Sequence, residues 1–134
     1  MFDLGNVKKW FGDLPAQGEF ATIRIVSSYS ENIGVRSDVL SPVSSEEDSG
    51  YMITIYSGDG SGYAASTDFS QAGIEKTYNC AKRWAEFNRT RSVVPFSTIE
   101  KLNPNGKYVC PVEKRWEDMK LGDKIDYLKM LNTE

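Results

Sequence analysis

The sequence predicts an α+β fold, an antiparallel β meander of about five strands with helices packed on one face. Three observations lead there. Short runs rich in β-branched and aromatic residues are separated by clusters of Gly, Ser, Asp and Pro. Segments at the start, in the middle and at the end repeat apolar residues at helical spacing. With 134 residues, 40% hydrophobic and 26% charged, the chain suits one domain with an appended tail and can bury a core without staples.

The first helix is carried by Leu4, Val7, Trp10, Phe11 and Leu14, with Asp3 to cap it and Pro15 and Gly18 to end it. Residues 20–26 follow as a strand, Ile23 and Ile25 on one face and Thr22 and Arg24 on the other. Asn32 to Arg36 reads as a second strand that turns at Ser37-Asp38. Val39 to Ser44 returns antiparallel, and Pro42 within that run marks it as an edge or a bulge. Residues 45–50 form a polar connection. Residues 51–56 carry the strongest strand signal, and residues 63–67 pair back across a glycine-rich turn at 57–62. Ser70 caps the second helix, with Phe69 and Ile74 at the staple positions and Ile74, Tyr78, Ala81 and Ala85 along one face. That helix is expected to reach about Phe87 and to lie across the sheet. Residues 93–112, with Pro95, Pro104 and Pro111, are an extended or looped connection that includes a turn at 103–106. Leu121, Ile125, Leu128 and Leu131 mark a last helix, which stops at Glu134 as though the chain were cut there.

Composition narrows the chemistry. The chain has no histidine, which excludes His-based triads, His general bases and imidazole zinc sites. Two cysteines are too few for a four-thiolate site. Cys80 and Cys110 match no metal or redox spacing and read as free, reduced thiols; a disulfide would require export. The start of the chain lacks a secretory pattern, so Asn88-Arg89-Thr90 reads as a chance glycosylation match. No run is long and apolar enough to span a membrane. The expected compartment is the cytoplasm. A net charge of −3 opposes nucleic-acid binding.

The remaining clusters read as structure. Glu46-Glu47-Asp48 lacks the alternation of a calcium loop and reads as a solvated turn. The run at 58–62 lacks the lysine of a phosphate loop and reads as a hairpin turn. Lys82, Arg83, Arg89 and Arg91 suit the end of a helix dipole. Tyr51, Tyr56 and Tyr63 read as cross-strand packing rather than an exposed recognition surface. No catalytic, metal-binding or substrate-binding residue is assigned.

Taken in order, residues 33–40, 44–51 and 58–70, running into the helix, resemble the amino-terminal domain of the TldD/PmbA proteins, once called modulators of DNA gyrase. The resemblance lies in a strand ending Val35-Arg36, a short polar turn, Asp48-Ser49-Gly50 opening the next strand, and Gly62-Tyr63-Ala64-Ala65-Ser66-Thr67 before the helix. Residues 108–112 and the helix at Lys124-Ile125-Asp126 are similar to the stretch that closes that domain. Ser37-Asp38 stands where the family more often has an Asn-Gly-like turn.

The resemblance implies a cytoplasmic zinc metallopeptidase acting on unfolded peptides, or its non-catalytic partner subunit. It implies a dimer with a second subunit of that family, homo- or heteromeric. The family's zinc motif lies after this domain, and no position here matches it, so zinc is expected in the parent protein only. Residues 1–112 would be the amino-terminal domain and 113–134 a linker and the start of a helix toward an absent catalytic domain. This piece would supply chamber wall, substrate-strand or dimer contacts. A peptide adding as a strand would use the Pro42 strand or the Tyr51–Tyr56 strand. The alternative is a freestanding, non-catalytic module that binds a peptide or ligand.

Overall fold

In a computed structural model, which describes residues 2–14, 20–101, 106 and 108–132, the Asp3 carboxylate accepts from the Gly5 amide at 2.7 Å and opens helix α1, Leu4–Gly12. The expected stop signals Pro15 and Gly18 lie outside the described residues. Five strands follow: β1 (Phe20–Asn32), β2 (Val35–Arg36), β3 (Val39–Leu40), β4 (Ser44–Ser57) and β5 (Gly60–Ser66). Then come α2 (Gln71–Asn88), two 3₁₀ turns at Phe96–Thr98 and Trp116–Asp118, and α3 (Leu121–Asn132). The α+β class with an antiparallel sheet is as the sequence predicts.

β1, β4 and β5 form one sheet with β4 in the centre; β2 and β3 form a separate two-stranded hairpin. β4 and β5 are antiparallel, with Met52 opposite Ala65 and Thr54 opposite Tyr63. Phe20 packs on Tyr56 and the Ser27 hydroxyl bonds that of Ser49, so residue numbers fall along β4 as they rise along β1. These strands are antiparallel too.

The chain divides into two units. The first is Met1–Ser27 with Ser49–Asn103, and the second is Ser28–Asp48 with Pro104–Glu134. In the first, Tyr51, Ile53 and Ile55 of β4 meet Ile74, Tyr78, Ala81 and Ala85 of α2 and Val7 of α1 in the buried core. Burying a side chain such as Ile53 contributes about 1.5–3 kcal/mol. Ser70 caps α2 by accepting from the Gly73 amide at 3.0 Å. Two glycines bring α2 onto β5. A Cβ on Gly60 or Gly62 would lie 2.3 Å from a helix carbonyl oxygen, of Ala85 or Ala81 respectively.

The second unit is built differently. Its one buried residue among the described ones is Lys124, whose ammonium bonds the Glu31 carboxylate at 2.7 Å. The Trp116 indole donates to the same carboxylate oxygen at 2.8 Å, and the Lys124 ammonium sits 4.1 Å from the Trp116 ring centre. Helix α3 itself forms where the sequence predicts it, over Leu121–Asn132. Ile125 and Leu128 are half-buried, and Leu121 and Leu131 are exposed.

Several strand boundaries are corrected. β1 extends past residue 26 to Asn32, and the expected strand from Asn32 to Arg36 is interrupted before β2. Ser37 and Asp38 turn the hairpin with φ of 48° and 62°, the left-handed geometry of a two-residue turn achieved without glycine. The return strand is only Val39–Leu40, so Pro42 lies between β3 and β4 instead of on an edge strand; its missing donor ends the pairing there. Residues 45–50, including Glu46-Glu47-Asp48, belong to β4 rather than to a turn. The outer part of β1 supplies their backbone partners, and the three acidic side chains stay in water. The glycine-rich turn contracts to Gly58-Asp59, with Gly58 at φ 55°, and Gly60 already begins β5. The proline-containing stretch is a connection with short 3₁₀ turns, as expected, while its turn at 103–105 lies outside the described residues.

Candidate functional site

Strand alternation places Tyr51, Ile53 and Ile55 under the helices and sends Met52, Thr54 and Tyr56 to the opposite side of the sheet. The pairing registers put Arg24 and Ala65 beside Met52, and Tyr63 beside Thr54, on that same side. No helix of the first unit covers this face among the described residues.

One end of the face is covered by the chain's own segment after α2. The Phe96 ring sits 5.5 Å from that of Tyr56, and the Lys101 ammonium lies 4.4 Å from the Tyr56 ring centre. Lys101 also donates to the Phe96 carbonyl at 2.6 Å. The Asp59 carboxylate at the β4–β5 turn holds this segment by accepting from the Ser97 hydroxyl and, at 3.4 Å, from its amide.

The other end is open. A groove of about 660 Å³ runs across the three strands there, lined by Arg24, Val26, Met52, Ala65, Ser66 and Thr67 among others. Val26 is half exposed there.

The β5 edge adjoins this face. β5 carries no charged residue and no proline, the usual protections of a free edge. The Asn88 amide engages the Ser61 carbonyl at 2.9 Å, which closes one position of that edge. Tyr63 and Trp84 line a hollow beside it, and Tyr63, Trp84 and Phe87 are 69%, 50% and 52% exposed. Trp84 and Phe87 meet edge to face at 5.9 Å. Half-exposed aromatics of this kind are favoured anchors in interfaces.

The clusters singled out in the sequence do not converge on a catalytic centre. Tyr51, Tyr56 and Tyr63 separate: Tyr51 is buried, its hydroxyl donating to the Asp68 carbonyl at 2.9 Å and lying 3.1 Å from the Thr77 hydroxyl. Tyr56 is half-buried and Tyr63 is exposed. The Tyr51–Tyr56 strand is central and paired on both sides, so it offers no edge to a peptide; Pro42 offers no strand. The edges of the sheet are β1 and β5 instead. Arg91 folds over the Phe87 ring at 4.2 Å and donates to the Phe87 carbonyl. Arg89 lies against Gly58. Cys80 is half-buried and Cys110 exposed, both as free thiols.

Two carboxyls are perturbed. The Asp68 carboxyl is held below its usual value, first by its hydrogen bonds from Ser70, with Lys76 adding charge. Glu31 is lowered chiefly by the hydrogen bond from Lys124. Both groups hold structure, Asp68 at the start of α2 and Glu31 beneath α3.

A zinc site does not fit these residues. The sequence has no histidine, and no three Cys, Asp or Glu side chains gather closely enough among the described residues. No helix among the described residues is long and apolar enough to cross a membrane. The sequence model of the family described as PmbA/TldA metallopeptidase domain 1 matches residues 21–85, from the first residues of β1 through most of α2. No curated protein and no solved structure matches the chain.

Proposed function

We propose, since residues 21–85 belong to the PmbA/TldA metallopeptidase domain 1 family, that this chain is the amino-terminal, non-catalytic part of a peptidase system. It handles extended polypeptide. The parent protein, or a partner subunit of the same type in a homo- or heterodimer, carries the zinc and the hydrolytic chemistry. The compartment is the cytoplasm, and the substrates are unfolded peptides. Residues 1–112 act as the binding domain and 113–134 lead toward the remainder of the parent.

The observation that carries this reading is where the family match falls. It spans β1 through β5 and most of α2, including the strands that create the open sheet face and the uncharged β5 edge. An extended polypeptide binds such an edge through main-chain hydrogen bonds, with neighbouring side chains reading every second residue. The exposed Tyr63 and Trp84 supply rigid apolar contact beside it.

Fluorescence anisotropy with a labelled, unstructured peptide of mixed composition tests the reading. Saturable binding is expected, with no cleavage of that peptide whether or not zinc is added. Absence of binding would remove the polypeptide role. Zinc-dependent cleavage by the purified chain would remove the non-catalytic one.

A further inference from the structure

Arg24 stands in the open sheet face beside Met52 of the central strand, with Ala65 on the far side of Met52 and Val26 two residues along β1. Its guanidinium has no hydrogen bond or ion pair among the described residues. The side chains that share its groove are apolar or carry hydroxyls, and none carries a negative charge. A guanidinium presents a rigid fork of donors that matches a carboxylate, and beside low-dielectric apolar surface that pairing gains strength.

The covered end of the same face shows how a polypeptide sits on it. There the 3₁₀ turn at Phe96–Thr98 seats one aromatic side chain, Phe96, on Tyr56, and Lys101 of the same segment lies over the ring. The open end has a comparable apolar floor, but the cation belongs to the sheet. A segment seated there would therefore bring the apolar anchor and the negative charge together.

We propose that the groove around Arg24 is a charge-selective subsite for an extended polypeptide segment that carries a carboxylate next to an apolar side chain. The apolar side chain lies on Met52, Ala65 and Val26, the carboxylate pairs with the Arg24 guanidinium, and the Ser66 and Thr67 hydroxyls meet backbone polar groups at the rim. This rests on the reading that the domain binds extended polypeptide, and it names which segments that surface selects.

Three labelled peptides of about ten residues test it, enough to span a strand of this length. They share alternate Leu and Phe positions and differ only in having Glu, Gln or Lys between them. Anisotropy titrations at low salt are expected to place the Glu peptide about tenfold tighter than the Gln peptide, with the Lys peptide weakest and the preference shrinking as salt rises. Arg24→Gln is expected to abolish the preference. Arg24→Glu is expected to reverse it toward the Lys peptide. Equal binding of all three peptides, or a preference that survives Arg24→Gln, overturns the assignment and leaves polypeptide binding standing. Failure of every peptide to bind overturns both.

Discussion

The carbonyl oxygen of Ala81 in α2 lies 2.3 Å from the position that a Cβ on Gly62 would occupy. The Ala85 amide nitrogen lies at the same distance. Helix backbone therefore packs directly on strand backbone, and neither element has a flexible side chain to yield. This contact sets the depth at which α2 rests on β5.

Gly62→Ala is accordingly expected to destabilise the domain by about 3 kcal/mol or more, since overpacking against backbone forces a shift of the whole element. Gly122→Ala is the matched control. Nothing lies within 4 Å of its added methyl, and it sits inside α3. A gain of about 0.5–1 kcal/mol is expected there. Urea unfolding midpoints of the two variants check both signs.

Tyr51 is 3% exposed, and its hydroxyl joins the Asp68 carbonyl to the Thr77 hydroxyl, which itself donates to the Gly73 carbonyl at 2.8 Å. Tyr51→Phe removes the donor to the Asp68 carbonyl and the oxygen beside the Thr77 hydroxyl, and is expected to cost about 1–2 kcal/mol. Thermal unfolding measures it, and an unchanged midpoint would mean that the network carries no stability.

Local signals were legible in the sequence and non-local ones were not. Asp3 and Ser70 could be read as caps because each bonds an amide two or three residues ahead. The in-and-out alternation of Thr22, Ile23, Arg24 and Ile25 was equally plain. The strand character of Glu46-Glu47-Asp48 was hidden because it depends on pairing with β1, while the side chains themselves favour a solvated turn. Gly60 and Gly62 looked like turn residues because the helix they make room for comes about twenty residues later. The burial of Lys124 was hidden because its partner, Glu31, is 93 residues away. The open groove depends on which strand is central, and the order β1-β4-β5 cannot be read from any one strand.

The Ser37-Asp38 turn holds two non-glycine residues in the left-handed region. Replacing them together, Ser37→Asn with Asp38→Gly, supplies the pair such a turn prefers. Relief of about 1 kcal/mol is expected, which slows amide exchange at Val39 and Leu40 about fivefold. Faster exchange would show that the contact from Asn132 to the Asp38 carboxylate, at 3.3 Å, outweighs the backbone relief.

Glu31 provides a pH dependence of known sign. The hydrogen bond from Lys124 leads in holding its carboxyl below the ordinary glutamate value of 4.5. A folded-state value below the unfolded one stabilises above the unfolded value and loses that contribution as pH falls through the folded value. Trp116 donates to the same carboxylate and reports on it. In a Trp10→Phe, Trp84→Phe background, Trp116 emission is expected to change as pH drops below 4.5 and to be insensitive in that range once Glu31→Gln is added. A transition that persists in the Glu31→Gln protein would assign it to another group.

The open sheet face and the β5 edge are the center of the functional reading, and hydrogen–deuterium exchange with and without a saturating unstructured peptide examines them together. The expected outcome is slowed exchange at amides of Gly60–Ser66 and of the adjoining residues 50–52, with α3 unchanged. Slowed exchange confined to the outer surface of α2 or to α3, with β5 unaffected, is incompatible with polypeptide binding at this edge.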